Sequence, residues 1–147
     1  MQLIFRVTFI ASVLIFFFAF FVTVPLTAQH DAAAHHHPAA AKIKNPVAAD
    51  DVSIAAGKKL YMKHCSVCHG DTGKGDGDMG DELDPKPANL ADADWKHGAT
   101  DGEIFAVIRD GVKGTGMKAF GKKITAHQTW DVINYVHTLA SAPAKPR

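Results

Sequence analysis

The stretch "CSVCHG", residues 65–70, holds both cysteines of the 147-residue chain, with His69 directly after the second. Four chemistries use such a cluster. A disulfide across two intervening residues closes too small a loop to remove much unfolded-state entropy. A thioredoxin-like dithiol needs a strand before it in a βαβ setting, and the residues before Cys65 read as a helix. Zinc needs four ligands. Cys65, Cys68, His69 and His64 lie too close along the chain to surround a tetrahedral ion. The fourth chemistry is covalent haem. Two thiols at this spacing form thioethers with the porphyrin vinyl groups, and the histidine that follows becomes the proximal iron ligand. The pattern is read as haem attachment through Cys65 and Cys68, with His69 on the iron.

Outward from the motif, three helices are expected. The first begins with Ser53 as N-cap. It carries Ile54, Gly57, Leu60, Tyr61 and His64 near one stripe and runs into Cys65. The second opens on the capping box "TDGE", Thr100 to Glu103, and stops at Gly111. The third opens on Thr125 with Gln128 three residues on, and Pro143 ends it. Between the first two lies a long loop rich in glycine, proline and aspartate, and such loops in small domains are commonly functional. No segment alternates as a strand would. The fold class is all-α, with three or more helices around one covalently attached haem.

The chain opens with Arg6 and then roughly twenty almost wholly apolar residues, Val7 to Leu26. This segment, 1–28, is an export signal with two outcomes. It is cleaved, giving a start near Gln29, or it stays as a membrane anchor. Either way the remainder is exported, periplasmic in a bacterium. Residues 29–51, rich in Ala, His and Pro, read as a flexible tether. Their cluster His30, His35, His36 and His37 could hold a metal, but a His-rich linker is the plainer account. The haem domain is placed at 52–141 and a tail at 142–147. A domain of this size gains from a large apolar cofactor to pack around.

The net charge of +1 gives no support for nucleic-acid binding. It hides an asymmetry. Asp71 to Asp110 carries eleven acids against four bases, and Gly111 to Arg147 six bases against one acid.

Together these segments resemble the class I c-type cytochromes over about Ile54 to Leu139. "GKKLYMKHCSVCHGDTGKGDG" is similar to that family's first helix, haem motif and glycine loop. "LDPKPANL", "DGEIFAVIRDGVKGTGMKAF" and "TWDVINYVHTL" are similar to its proline loop, its middle helix with methionine loop, and its last helix. The resemblance implies a close crossing of the first and last helices at Gly57 and Tyr135, with Trp130 able to contribute. It implies a proline-loop carbonyl, Pro87 or else Pro85, accepting the other ring N–H of His69. Trp95, Phe105, Ile108 and Phe120 are candidates for the haem wall.

Met117 is the candidate for the distal ligand. It lies 48 residues after His69, among glycines that let backbone approach a flat cofactor, and just before the last helix. The family often has proline after this methionine. Lys118 stands there instead, which implies a looser loop. His97, His127 and His137 are rival ligands. With both iron positions filled, the implied function is single-electron transfer by a monohaem carrier, not an enzyme, between exported or membrane-bound redox proteins. Lys113, Lys118, Lys122 and Lys123 would form a basic docking rim. Two alternatives are kept: an electron-entry subunit of a dehydrogenase or terminal oxidase, and a five-coordinate haem sensor or peroxidase-like enzyme.

Overall fold

The computed structural model describes residues 37–92, 95 and 98–141. The apolar segment 1–28, His30, His35, His36, His97, Pro143 and the tail lie outside the described residues. Four helices follow in order: α1, Asp51–His64; α2, Ser66–His69; α3, Asp101–Asp110; and α4, Ala126–Ser141. Short 3-10 turns stand at Ala40–Lys42 and Gly80–Glu82. Among the described residues there is no β-strand. The all-α expectation holds.

The two capping boxes form as read. The Glu103 N–H donates to Thr100 Oγ1 at 3.3 Å, and the Glu103 carboxylate accepts the Thr100 N–H at 3.2 Å. At α4 the Gln128 N–H donates to Thr125 Oγ1 at 3.2 Å, and Gln128 Oε1 accepts the Thr125 N–H at 2.9 Å. The cap of α1 differs. Asp50, not Ser53, is the N-cap, its carboxylate accepting the Ser53 N–H at 2.9 Å. Ser53 is buried instead, and its hydroxyl donates to Asp131 Oδ1 at 2.6 Å. A long-range bond to α4 has taken the side chain that local capping would have used.

α1 and α4 make the most extensive helix contact. At Gly57 a Cβ would collide with the Asp131 carbonyl and sit 3.0 Å from Tyr135 Cβ, so only glycine lets the two backbones approach this closely. Tyr61 is fully buried one turn on, its ring 5.2 Å from that of Tyr135. Trp130 serves a different contact: it stacks on Phe105 at 4.1 Å and joins α4 to α3. Ile104 and Ile108 complete the core with Val132, Ile133 and Val136.

The expected tether is shorter than 29–51. From Ala40 to Ala48 the chain lies on the domain. Gly102 admits it, because a Cβ there would run into the Ala40 carbonyl. Asn45 Nδ2 donates to Asn134 Oδ1 at 2.8 Å, and Asn134 Nδ2 donates to the Ala48 carbonyl at 3.2 Å and to Ser53 Oγ at 2.9 Å. A composition suited to a linker carries one asparagine whose partner lies on α4.

Candidate haem-attachment site

α1 delivers the motif. The Cys65 N–H donates to the Tyr61 carbonyl at 2.8 Å, and the His69 N–H to the Cys65 carbonyl at 2.9 Å. One continuous helical path thus carries Cys65, Cys68 and His69. Gly70, at φ 75°, ends it, and its carbonyl accepts the Tyr61 hydroxyl at 2.8 Å. The glycine loop then folds back: the Gly75 N–H donates to the His69 carbonyl at 2.8 Å and the Gly77 N–H to the Cys68 carbonyl at 3.2 Å. The two cysteines do not form a disulfide with each other. Burial, with a smaller contribution from Cys68, pushes the Cys65 thiol up to about 12. A redox dithiol needs a thiolate and so a lowered pKa. Cys65 has the opposite bias.

The His69 ring is oriented by a backbone carbonyl, with Nδ1 3.1 Å from Ala88 O. Burial lowers its pKa below the usual histidine range, and the Ala88 carbonyl opposes that shift in part. The imidazole is therefore held neutral. With Nδ1–H as donor, Nε2 is left with its lone pair for a metal. The expected acceptor was Pro87, and the structure corrects this by one residue. The Pro87 carbonyl lies against Gly75, where a Cβ would stand 2.5 Å from it. It is committed to the glycine loop, and the next carbonyl faces the ring.

Met117 sits in a loop that runs back along the end of α3. The Phe120 N–H donates to the Ile108 carbonyl at 2.9 Å and the Gly121 N–H to the Arg109 carbonyl at 3.0 Å. Arg109 braces the loop's far end through Nη1, which donates to the Ile124 carbonyl at 2.8 Å. Two contacts bring this loop to the motif side of the molecule. The Phe120 ring lies 6.1 Å from that of His64, beside Cys65. Gly116 packs against the Leu83 side chain so closely that a Cβ would stand 2.6 Å from it. Lys113, Lys118, Lys122 and Lys123 are all exposed around this loop, Lys123 with its ammonium 4.9 Å from the Phe120 ring centroid.

The described rival histidines are occupied elsewhere. His127 is largely exposed, 3.9 Å from Asp131. His137 Nε2 is 2.7 Å from Asp101 Oδ1, and its ring stacks on Trp95 at 6.0 Å. Of the four wall candidates, Ile108 is buried, while Trp95, Phe105 and Phe120 border the core and are only partly covered. The donor set fits a c-type haem: two thiols, a neutral imidazole with one nitrogen committed, and a thioether in a loop whose Phe120 reaches His64 beside Cys65. Sequence reasoning missed Ala88, Leu83 and Thr115. Thr115 alone left a signal, a turn hydroxyl two residues before a candidate ligand.

The family model for cytochrome c oxidase, cbb3-type, subunit III matches residues 52–136, more than half of the chain. The chain belongs to this family. It is a c-type cytochrome, and haem c is the cofactor that the family implies. Among curated relatives of this subunit III-family chain, FixP of a cbb3-type cytochrome c oxidase from Sinorhizobium medicae is 31% identical over 102 residues, 64% of this chain and 32% of the relative. The CcoP subunit from Rubrivivax gelatinosus is 31% identical over 106 residues, 72% of this chain and 31% of the relative. The chain thus spans about a third of the length of the curated relatives it matches. Among solved structures, a Kuenenia stuttgartiensis reducing HAO-like protein complex has a chain 29% identical at a TM-score of 0.60, covering 67% of this chain and 48% of that one. Cytochrome cL from Methylophaga aminisulfidivorans is 26% identical at a TM-score of 0.51, covering 60% and 54%.

Proposed function

We propose that this chain is a monohaem electron-transfer subunit serving a terminal oxidase of the cbb3 type. The observation that carries the reading is the family match over 52–136, together with relatives that are named as subunits of that oxidase. It ranks the electron-entry subunit above the freely diffusing carrier, which the residues alone had put first. The chain has a single Cys-x-x-Cys-His segment, so one haem is expected.

Cys65 and Cys68 would hold the cofactor by thioethers, and His69 and Met117 would be its iron ligands. Bound haem supplies one-electron Fe(III)/Fe(II) chemistry, whose potential a thioether ligand raises. The chain's own residues do the rest. The Ala88 carbonyl holds the Nδ1 proton and fixes the His69 ring. With Met117 as second iron ligand no position would be left for substrate, and the five-coordinate sensor or peroxidase reading falls behind. The basic rim Lys113, Lys118, Lys122 and Lys123 meets a redox partner. Among the described residues no helix is long and apolar enough to cross a membrane. Export and any anchoring therefore rest on residues 1–28.

Solubilising the membrane of the source cell tests the reading. A haem-stained band of this chain should co-purify with a large oxidase complex, and redox titration should show one haem c per chain. Recovery of the haem protein only as a free monomer would restore the carrier. Rapid carbon monoxide binding by the reduced protein would favour the five-coordinate alternative.

A further inference from the structure

The acidic region 71–110 is the rival of the basic rim as a face for a partner, and one surface within it stands out. Five large apolar side chains stand exposed among the described residues, and three of them, Met62, Val67 and Met79, belong to the surroundings of the Cys-x-x-Cys segment. Val67 lies between the two cysteines and is 44% exposed, and Met79 is 47% exposed. The Met79 N–H donates to the Val67 carbonyl at 2.9 Å, which joins the two positions. Beside them runs a groove of about 450 Å³ lined by Ser66, Val67, Asp71, Asp76 and Asp78, among others. An apolar centre with a charged margin is the anatomy of a transient protein interface.

We infer that this surface, Val67 and Met79 with the groove aspartates Asp71, Asp76 and Asp78, docks a redox protein that presents lysines or arginines around its own cofactor. The inference rests on the electron-transfer reading above. Charge decides the occupant. From Asp71 to Lys86 the chain carries six acids and two bases, Lys74 and Lys86, and Lys86 is paired with Asp81 at 2.7 Å; the groove aspartates Asp71, Asp76 and Asp78 keep the margin negative. A basic partner is drawn to it and an acidic one repelled. A second copy of this chain is a poorer occupant. Its own basic residues ring Met117, so two copies would pair head to tail, and such contacts run on into chains instead of closing. Position adds to charge: a cofactor attached through Cys65 and Cys68 has its attached edge at this segment. The chain would then have two faces of opposite sign, an acidic one at the attachment segment and a basic one at the Met117 loop. That suits a protein that receives electrons from one partner and passes them to another.

The test uses the full-length holoprotein and, as probe, a strongly basic mitochondrial-type cytochrome c. Binding is measured by calorimetry at low ionic strength. Asp71→Lys with Asp78→Lys should weaken the complex about tenfold. Val67→Ser should weaken it with no change in salt dependence. Lys118→Glu with Lys122→Glu should leave it unweakened. Zero-length carbodiimide cross-linking of the unmutated pair guards against variants that misfold, and it should join probe lysines to Asp71, Asp76 or Asp78. Cross-links confined to other carboxylates, wild-type affinity in the aspartate variants, or no complex at low salt would each overturn the inference. Self-association abolished by the aspartate changes would assign the surface to a second copy and overturn it too. None of these outcomes touches the parent reading. That reading fails separately, if the purified chain carries no covalent haem.

Discussion

Thr115 Oγ1 accepts the Met117 N–H at 3.1 Å and donates to the Val112 carbonyl at 2.9 Å. The Val112 N–H in turn donates to the Met117 carbonyl at 3.0 Å. Both backbone groups of Met117 are thus held by a closed circuit of three residues. The circuit offsets what the missing proline after Met117 would otherwise have stiffened, because Lys118 leaves that bond free to rotate. Thr115→Val keeps the shape and removes both hydroxyl bonds. With Met117 on the iron as proposed, an external ligand would reach it only when this loop opens, so ferric Thr115→Val should bind imidazole about tenfold more tightly than the parent. Thr115→Ser should behave as the parent. An imidazole titration followed by absorbance reads this directly, and equal affinities would show that the hydroxyl does not hold the loop.

Met117 itself is tested by Met117→Ala. The weak far-red band of methionine-ligated ferric haem should vanish while covalent haem is retained. An unchanged spectrum would hand the distal position to a histidine. The geometry gives His127 and His137 little claim, since one lies beside Asp131 and the other is engaged by Asp101 and Trp95.

Gly57 is where α1 and α4 come closest. A methyl group there meets the Asp131 backbone carbonyl, which cannot turn aside as a side-chain tip could. Gly57→Ala should cost roughly 1–3 kcal/mol in denaturant unfolding of the holoprotein. Helix propensity would favour alanine at this position by about 1 kcal/mol. A stabilised variant would therefore mean that the crossing yields to a methyl group.

These contacts show which parts of the molecule a linear reading can reach. The capping boxes at Thr100 and Thr125 were legible because both partners lie within four residues. Cys65, Cys68 and His69 can be proposed from a linear reading because the chemistry proposed for them sets their spacing. Ser53 was misread as a cap because its true partner, Asp131, is 78 residues away. Pro87 was misread for a similar reason: which carbonyl of a proline loop faces an imidazole depends on how Gly75 packs beneath it. The free carrier was ranked above the oxidase subunit because membership of a complex leaves no local mark on a haem motif.

Asn134 ties the stretch 40–48 to the domain. Its amide serves the Ala48 carbonyl and Ser53 Oγ, and its carbonyl accepts from Asn45. Asn134→Asp replaces the donor by an acceptor beside Asp131, and the Ser53 hydroxyl can donate to only one of them. The holoprotein should lose about 2 kcal/mol or more. Amides from Lys42 to Val47 should then exchange hydrogen faster than in the parent, while those of α4 slow down or speed up only with global stability. Unchanged exchange in that stretch would mean that Gly102 and the backbone contacts hold it unaided.

The basic rim around Met117 makes the last prediction. Lys113, Lys118, Lys122 and Lys123 are exposed and fall within a few residues of the proposed ligand, with almost no acid between Gly111 and Arg147 to offset them. Opposite charge on an acceptor would speed encounter there, an effect that salt screens. Lys118→Glu with Lys122→Glu should slow electron transfer to the natural acceptor on the order of tenfold at low ionic strength. The difference should shrink as salt is added, and the absorption spectrum should not change. Lys123 is left in place because its ammonium lies over the Phe120 ring, and removing it would disturb packing as well as charge. If the rates are unaffected while the aspartate variants of the acidic surface slow transfer, both partners use that surface, and the lysines serve solubility alone.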